Sequence, residues 1–245
     1  MRSGITSGGY MPNSASDLPE WEQVLSSAAH LQRILPDAVL VGGTAAAIYA
    51  GHRLSSDADH VLIDLRRRFD RVLEDLESVA GWKTARVRRP VQILGSLDGI
   101  ETGVRQLIRD QPLDTTVIER FGQKLTVPTL PEMLRIKAVL ILNRNATRDY
   151  LDFAALADRM GQDETVLALR SFDAFYPQPN GESALQQLQI QLAGPMPYDL
   201  DKVDLAEYKH LAARWQHWIN VQSACSVCAV LIFDRIIGGE GAEPL

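Results

Sequence analysis

The stretch VGGTAAAIYAGHRLSSDADHVLIDL, running from Val41 to Leu65, constrains this chain more than any other segment. Its paired glycine stands between a short apolar run, AVLVGG, and an alanine-rich segment, TAAAIYAG, that ends at Gly51. The first reads as a buried strand closing in a glycine turn, the second as a helix. HVLIDL reads as the next strand, with Asp57 and Asp59 two residues apart at its entry. On a strand that spacing points both carboxylates to one side, where they can hold one or two Mg²⁺ or Mn²⁺ ions. Glycines between a strand and a helix let a phosphate approach the backbone, and free N–H groups at the helix start favour an anion. Thr44 can add a hydroxyl. A phosphate cradle then faces a metal site.

The flanks extend this pattern. Asp17, Pro19 and the spacing of Trp21, Val24, Leu25, Ala28, Leu31 and Leu35 predict an opening helix. A second helix is expected from Arg66 to about Val79, with Phe69, Val72, Leu73 and Leu76 as its apolar stripe. Hairpins follow: Lys83 to Val87, Val91 to Leu97, a DGIET turn, Gly103 to Arg109, Thr115 to Glu119 and Lys124 to Val127. At Thr129 the character changes, because Thr129 and Glu132 have capping-box spacing and the rest reads as helical. The expected organisation is a flexible N-terminus over 1–16, a core over 17–128 and a helical region over 129–245.

Composition decides what else the chain can be. Its 245 residues, 46% hydrophobic and with a net charge of −6, can bury a substantial core. The acidic balance argues against a surface that binds nucleic acid mainly by neutralising phosphates. Two local basic sets remain, Arg66, Arg67, Arg68 and Arg71, then Lys83, Arg86, Arg88 and Arg89. They read as a solvated helix face and a charged strand edge. No apolar run approaches the roughly 20 residues of a membrane span, so a cytoplasmic protein without membrane contact is expected. Cys225 and Cys228 read as small apolar residues of a buried helix face. The segment reads as one continuous helix, on which Cys228 lies about 27 Å from His210, which excludes a shared zinc ion.

Gly42-Gly43-Thr44 followed by Asp57-x-Asp59 resembles the signature of the nucleotidyltransferase (DNA polymerase β-like) superfamily. GHRLSSDADH and the later LRIKAVLILNRNATRDYLDFAAL are similar to elements of its AbiEii/AbiGii toxin family. The resemblance covers roughly Val39 to Leu156. It implies an α/β (α+β) fold with a mixed sheet flanked by helices, followed by a helical C-terminal region. It further implies transfer of a nucleoside monophosphate from a nucleoside triphosphate to an acceptor hydroxyl, with Mg²⁺ or Mn²⁺. In such relatives the role is the toxin half of a toxin–antitoxin or abortive-infection pair, and acceptors include tRNA.

Carried over by residue, the resemblance assigns Gly42, Gly43, Thr44 and Arg53 to the nucleotide. Asp57 and Asp59 are implied as metal-binding and catalytic, Lys137 as the lysine beside the triphosphate, and Asp149 as an acid lining the site. Asp152 lies close to one turn from Asp149, and Arg148 is adjacent. His52, Arg53 and Ser55 belong to the family element, with His52 open to a loop-holding role. His60 is either a strand histidine or a third ligand. The superfamily's third carboxylate falls on Gln106 in the strand GVRQLIR, with Asp110 or Asp114 as substitutes in another register. A neutral amide there leaves open a non-catalytic nucleotide-binding scaffold, and small-molecule nucleotidylation is a further reading.

Overall fold

The structure is a computed structural model that describes residues 18–238. The expected flexible segment 1–16 lies outside the described residues. Helix α1 (Leu18–Ile34) buries Trp21, Val24, Leu25, Ala28 and Leu31, the stripe its spacing predicts. Strand β1 (Val39–Leu40) leads into helix α2 (Gly42–Ala50), which begins on the first glycine of the pair. Gly42 has φ +75°, a conformation that an L side chain rarely adopts. Strand β2 (Asp57–Leu62) starts on the first aspartate itself. Its burial alternates, so Ala58, His60 and Leu62 face the core while Asp57, Asp59 and Val61 face the other way.

Helix α3 (Leu65–Glu77) precedes strands β3 (Trp82–Arg88), β4 (Gln92–Leu97) and β5 (Ile100–Gln106). These complete a five-stranded sheet of order β1-β2-β5-β4-β3. β2 runs parallel to β5 and the other neighbours are antiparallel, which makes the sheet mixed. Leu65, Phe69, Val72 and Leu76 of α3 pack with Leu62, Ile93, Leu97 and Val104 under one face. Strands β6 (Thr115–Arg120) and β7 (Gln123–Pro128) form a separate two-stranded sheet.

The remainder is helical: α4 (Leu130–Arg144), α5 (Thr147–Met160), α6 (Gln162–Leu169), α7 (Phe172–Phe175), α8 (Ala184–Ala193) and α9 (Trp218–Ile232). Short 3₁₀ turns occupy the stretch between Leu200 and Trp215. The larger core joins Leu25 of α1, Ala46 of α2 and Val127 of β7 to Met133, Phe153 and Val221 of the helices. The core therefore crosses the change of character at residue 129.

The turn before β5 is two residues long, Asp98 and Gly99 with φ +55° and +83°, so β5 starts at Ile100 and ends at Gln106. Thr129 makes no side-chain cap. Glu132 is instead fully buried between Arg135 at 2.6 Å and Arg109 at 2.8 Å. His210 and Cys228 do not share a helix, because α9 begins at Trp218 and His210 lies in a turn with φ +54°.

Both cysteines are buried on α9, and burial pushes the Cys228 thiol up to about 12. With the π-helical turn Phe233–Ile237, α9 forms a 20-residue span, Trp218–Ile237, long and apolar enough to cross a membrane. That corrects the expectation that no such run exists. Its inner face, Val221, Cys225, Cys228, Ala229 and Ile232, packs into the core.

Candidate active site

Three elements converge on one cavity of about 610 Å³. The α2 start contributes Gly42 and Gly43, β2 contributes Asp57 and Asp59, and α4 contributes Lys137. The glycine cradle is tight. A Cβ on Gly43 would stand 2.5 Å from Arg53 Nη2 and 2.9 Å from Ser55 Oγ, so the absent side chain lets the Arg53 guanidinium cross the helix start. The Thr44 hydroxyl is buried and donates to the Asp57 carbonyl, which ties α2 to the start of β2. Ser55 donates to the Asp57 carboxylate.

The carboxylates share one face of β2, and the parallel partner β5 continues that face. Asp57 stands opposite Glu101, and Asp59 opposite Gly103. Arg105, two residues on, places its guanidinium 3.6 Å from Asp59 Oδ1. Burial raises the Asp59 carboxyl above the usual range; Arg105 opposes the shift and Asp57 reinforces it. Hard oxygen donors on one face, partly open to solvent, fit Mg²⁺ or Mn²⁺. No group of three His, Cys, Asp or Glu side chains close enough to hold a metal occurs among the described residues, so the protein itself offers a two-carboxylate set.

Gln106 does not stand in the third-ligand position. It pairs with Leu62, donates to the Ile63 carbonyl at 2.6 Å and accepts from Arg66 N–H at 2.9 Å, so it seats the start of α3. Asp110 does not line the cavity, and Asp114 pairs with Arg135 at 3.0 Å. Glu101 is the acid that lines the cavity from β5. Its signal was the Asp-Gly dipeptide, which marks a two-residue hairpin and so places Glu101 on the strand.

His60 faces the core, away from both carboxylates. Burial lowers it to about 4, against the carbonyls of Ala58 and Ala28, so it is neutral at physiological pH.

Behind the cavity, Asp152 of α5 gathers three donors. Arg53 Nε donates to Oδ1 at 2.9 Å and Nη2 to Oδ2 at 3.1 Å, His52 Nε2 lies 2.7 Å from Oδ1, and Lys137 Nζ lies 2.7 Å from Oδ2. Burial alone would raise this carboxyl, but Arg53, Lys137 and His52 together hold it well below the usual range. Asp149, equally buried, takes Arg144 through two hydrogen bonds of 2.8 and 3.1 Å and lies 3.7 Å from Lys137. Asp149 does not line the cavity; Lys137, Arg144 and Arg148 do.

Tyr208 closes this side, with the Arg53 guanidinium 5.4 Å from its ring centre. It is carried by a strap that pairs with the family loop, Leu54 N–H donating to Lys209 O and Ala212 N–H to His52 O, both at 2.8 Å. Arg144, Arg148 and Tyr208 also line a neighbouring cavity of about 550 Å³ with Tyr198 and Asp199. Tyr208 had no sequence signal, since nothing local relates it to Arg53.

A strand-to-helix glycine cradle beside two carboxylates, with a lysine opposite on a following helical region, defines a nucleotidyltransferase. Residues 24–222 match the family described as "Nucleotidyl transferase AbiEii toxin, Type IV TA system", and the chain belongs to that family. The crystal structure of JHP933 from Helicobacter pylori shares the fold, with a TM-score of 0.54 and 17% identity over 93% of this chain and 96% of that one. The heme uptake protein MmpL11 of Mycobacterium tuberculosis is 31% identical over 232 residues, 86% of this chain and 23% of that protein. The mycolic acid-containing lipids exporter MmpL11 of Mycolicibacterium smegmatis is 34% identical over 130 residues, 52% of this chain and 13% of that protein. The chain thus spans about a quarter or less of the length of these curated relatives.

Proposed function

We propose that the chain transfers a nucleoside monophosphate from a nucleoside triphosphate to an acceptor hydroxyl, as the toxin half of a cytoplasmic toxin–antitoxin pair. The observation that carries this reading is the convergence of Gly43, Asp57, Asp59 and Lys137 on one cavity. Gly42, Gly43 and the N–H groups at the α2 start receive phosphate oxygens, and Arg53 crosses beside them. Lys137, fixed between Asp152 and Asp149, presents a positive charge to the triphosphate. Asp57 and Asp59 would hold Mg²⁺ or Mn²⁺, which would neutralise developing phosphate charge and orient the reacting oxygens. The acceptor oxygen bonds to the α-phosphorus, the bond from that phosphorus to the β-phosphate oxygen breaks, and pyrophosphate leaves. The acceptor's proton passes toward the carboxylate pair and on to solvent. Asp149 acts through Lys137 and Arg144, as a positioning residue.

The non-catalytic reading drew on Gln106 in place of a third acid, and Gln106 instead bonds the start of α3. The acceptor in this reading is tRNA or another RNA, and the partner is an antitoxin. Incubation with labelled nucleoside triphosphates, Mg²⁺ and total RNA, protein or small molecules tests it directly. Label carried onto RNA is expected. Label found on no acceptor, with Mg²⁺ present, contradicts it.

A further inference from the structure

The outermost strand of the large sheet carries an arrangement that simple alternation would not produce. A regular strand would turn Lys83, Ala85 and Val87 to one face and Arg86 and Arg88 to the other. The register differs: Lys83 stands opposite Ser96 and Thr84 opposite Gly95, then Arg86 opposite Leu94 and Arg88 opposite Gln92. Ala85 is the extra residue of a bulge, and bulges re-aim side chains. Lys83, Arg86 and Arg88 therefore share one face. Through the pairing of β4 with β5 and of β5 with β2, it is the face of Glu101, Gly103 and Arg105, and of Asp57 and Asp59.

Three interstrand steps separate these cations from the carboxylates, about 14 Å at the usual strand spacing. The floor between is low, since Gly103 has no side chain and Leu94 is half-buried. Lys83 and Arg86 line the cavity, and β3 is exposed from Lys83 to Arg88. None of the three cations has an ion-pair partner among the described residues. By contrast, Arg68 of α3 pairs with Asp37 and Asp64, Arg71 with Asp75, and Arg89 with Asp70. Charge on an edge strand discourages edge-to-edge pairing whichever face it takes. That role does not account for a bulge that turns all three cations toward the carboxylates.

We infer that this sheet face is the acceptor platform and that its occupant is the end of an RNA strand, with backbone phosphates along β3 and its terminal hydroxyl over Asp57 and Asp59. The inference rests on the nucleotidyl-transfer reading and assigns that site its acceptor surface. Arg86 and Arg88 are two residues apart, roughly 6.8 Å along the strand, a spacing suited to successive phosphates of one chain. Phosphate contacts of this kind fix register and orientation without reading sequence.

The test uses the full chain and the Lys83→Ala/Arg86→Ala/Arg88→Ala variant, checked for folding by circular dichroism and accompanied by Lys83→Arg. Anisotropy measures binding of a short fluorescent oligoribonucleotide over a salt series, and calorimetry measures nucleoside triphosphate with Mg²⁺. Three lost contacts should reduce the slope of log affinity against log salt by about 2, since each single-strand phosphate contributes ~0.7. Between about 50 and 200 mM salt, the wild type should then lose roughly 20-fold more affinity than the variant. Lys83→Arg should retain wild-type binding, and the loss should fall on RNA rather than on the nucleotide. An unchanged salt slope, a wild type that binds no oligoribonucleotide, or a preference for polyglutamate over RNA overturns the inference. So does an equal loss of nucleotide affinity, which would place the cations on the triphosphate. Absence of Mg²⁺-dependent nucleotide binding in the wild type sinks the transfer reading instead, while the anisotropy arm still reports on β3.

Discussion

Lys137 Nζ lies 2.7 Å from Asp152 Oδ2, with both side chains buried behind the cavity that Lys137 lines. The pair joins α4 to α5, and because Arg53 and His52 bind the same carboxylate, it also joins both helices to the loop before β2. One acid thus sets the position of two cations that the proposed reaction uses.

Removing that acid leaves buried positive charge uncompensated. Asp152→Asn is expected to cost about 3–5 kcal/mol of stability at neutral pH, read from denaturant unfolding. The folded carboxyl has a depressed pKa, so its stabilisation is full above the ordinary aspartate value and fades as pH falls through the folded value. Wild type and variant should therefore converge only in strong acid. Equal stability at pH 7 would remove Asp152 from this role.

His60 carries the opposite lesson for pH. Its folded value near 4 lies below the ordinary histidine value, so between about pH 6.5 and 4 the unfolded chain takes up a proton that the folded chain refuses. Stability should fall by about 3 kcal/mol across that window as pH drops. His60→Leu should flatten this part of the profile. An unchanged profile in the variant assigns the loss to other groups.

Gly43→Ala tests the cradle. The new Cβ meets Arg53 and Ser55, so the guanidinium must leave the α2 start. Nucleoside triphosphate affinity is expected to fall by more than about tenfold, with Coulombic contact to phosphate lost, while the thermal transition stays cooperative. Full affinity in calorimetry would put the phosphates elsewhere.

Gln106→Glu and Glu101→Gln separate two registers of β5. Gln106→Glu should leave Mg²⁺-dependent nucleotide binding unchanged and lower stability by about 1–3 kcal/mol, because a carboxylate cannot donate to the Ile63 carbonyl. Glu101→Gln should slow transfer on the order of 10–100-fold, as expected for a group supporting a metal site. The reverse pattern would restore Gln106 to the third-ligand position.

The site's core was legible because its parts are local. A strand, two glycines, a helix and D-x-D fall within 25 residues, and Lys137 came with its own family element. What the sequence hid depends on non-local register. Reading DGIET as a five-residue turn moved β5 by three residues and took Glu101 off the sheet, although Asp98-Gly99 alone forms the hairpin. The capping-box spacing at Thr129 misled for a related reason: Glu132 is drawn into the interior by Arg109 and Arg135, and Arg109 lies far away in sequence. The β3 bulge left no mark at all, since Lys83 to Arg88 reads as ordinary alternation.

Asp57 and Asp59 are expected to bind metal and nucleotide as one unit. Two carboxylates leave most of an octahedral shell to water, so Mg²⁺ alone should bind weakly and nucleotide phosphates should complete the shell. Calorimetric titration of a non-hydrolysable nucleoside triphosphate with and without Mg²⁺, on wild type and on Asp57→Asn and Asp59→Asn, measures this directly. Mg²⁺ should raise nucleotide affinity, nucleotide should raise Mg²⁺ affinity by the same factor, and either asparagine should abolish the coupling. Nucleotide affinity that is independent of Mg²⁺ and unaltered in both variants would contradict it.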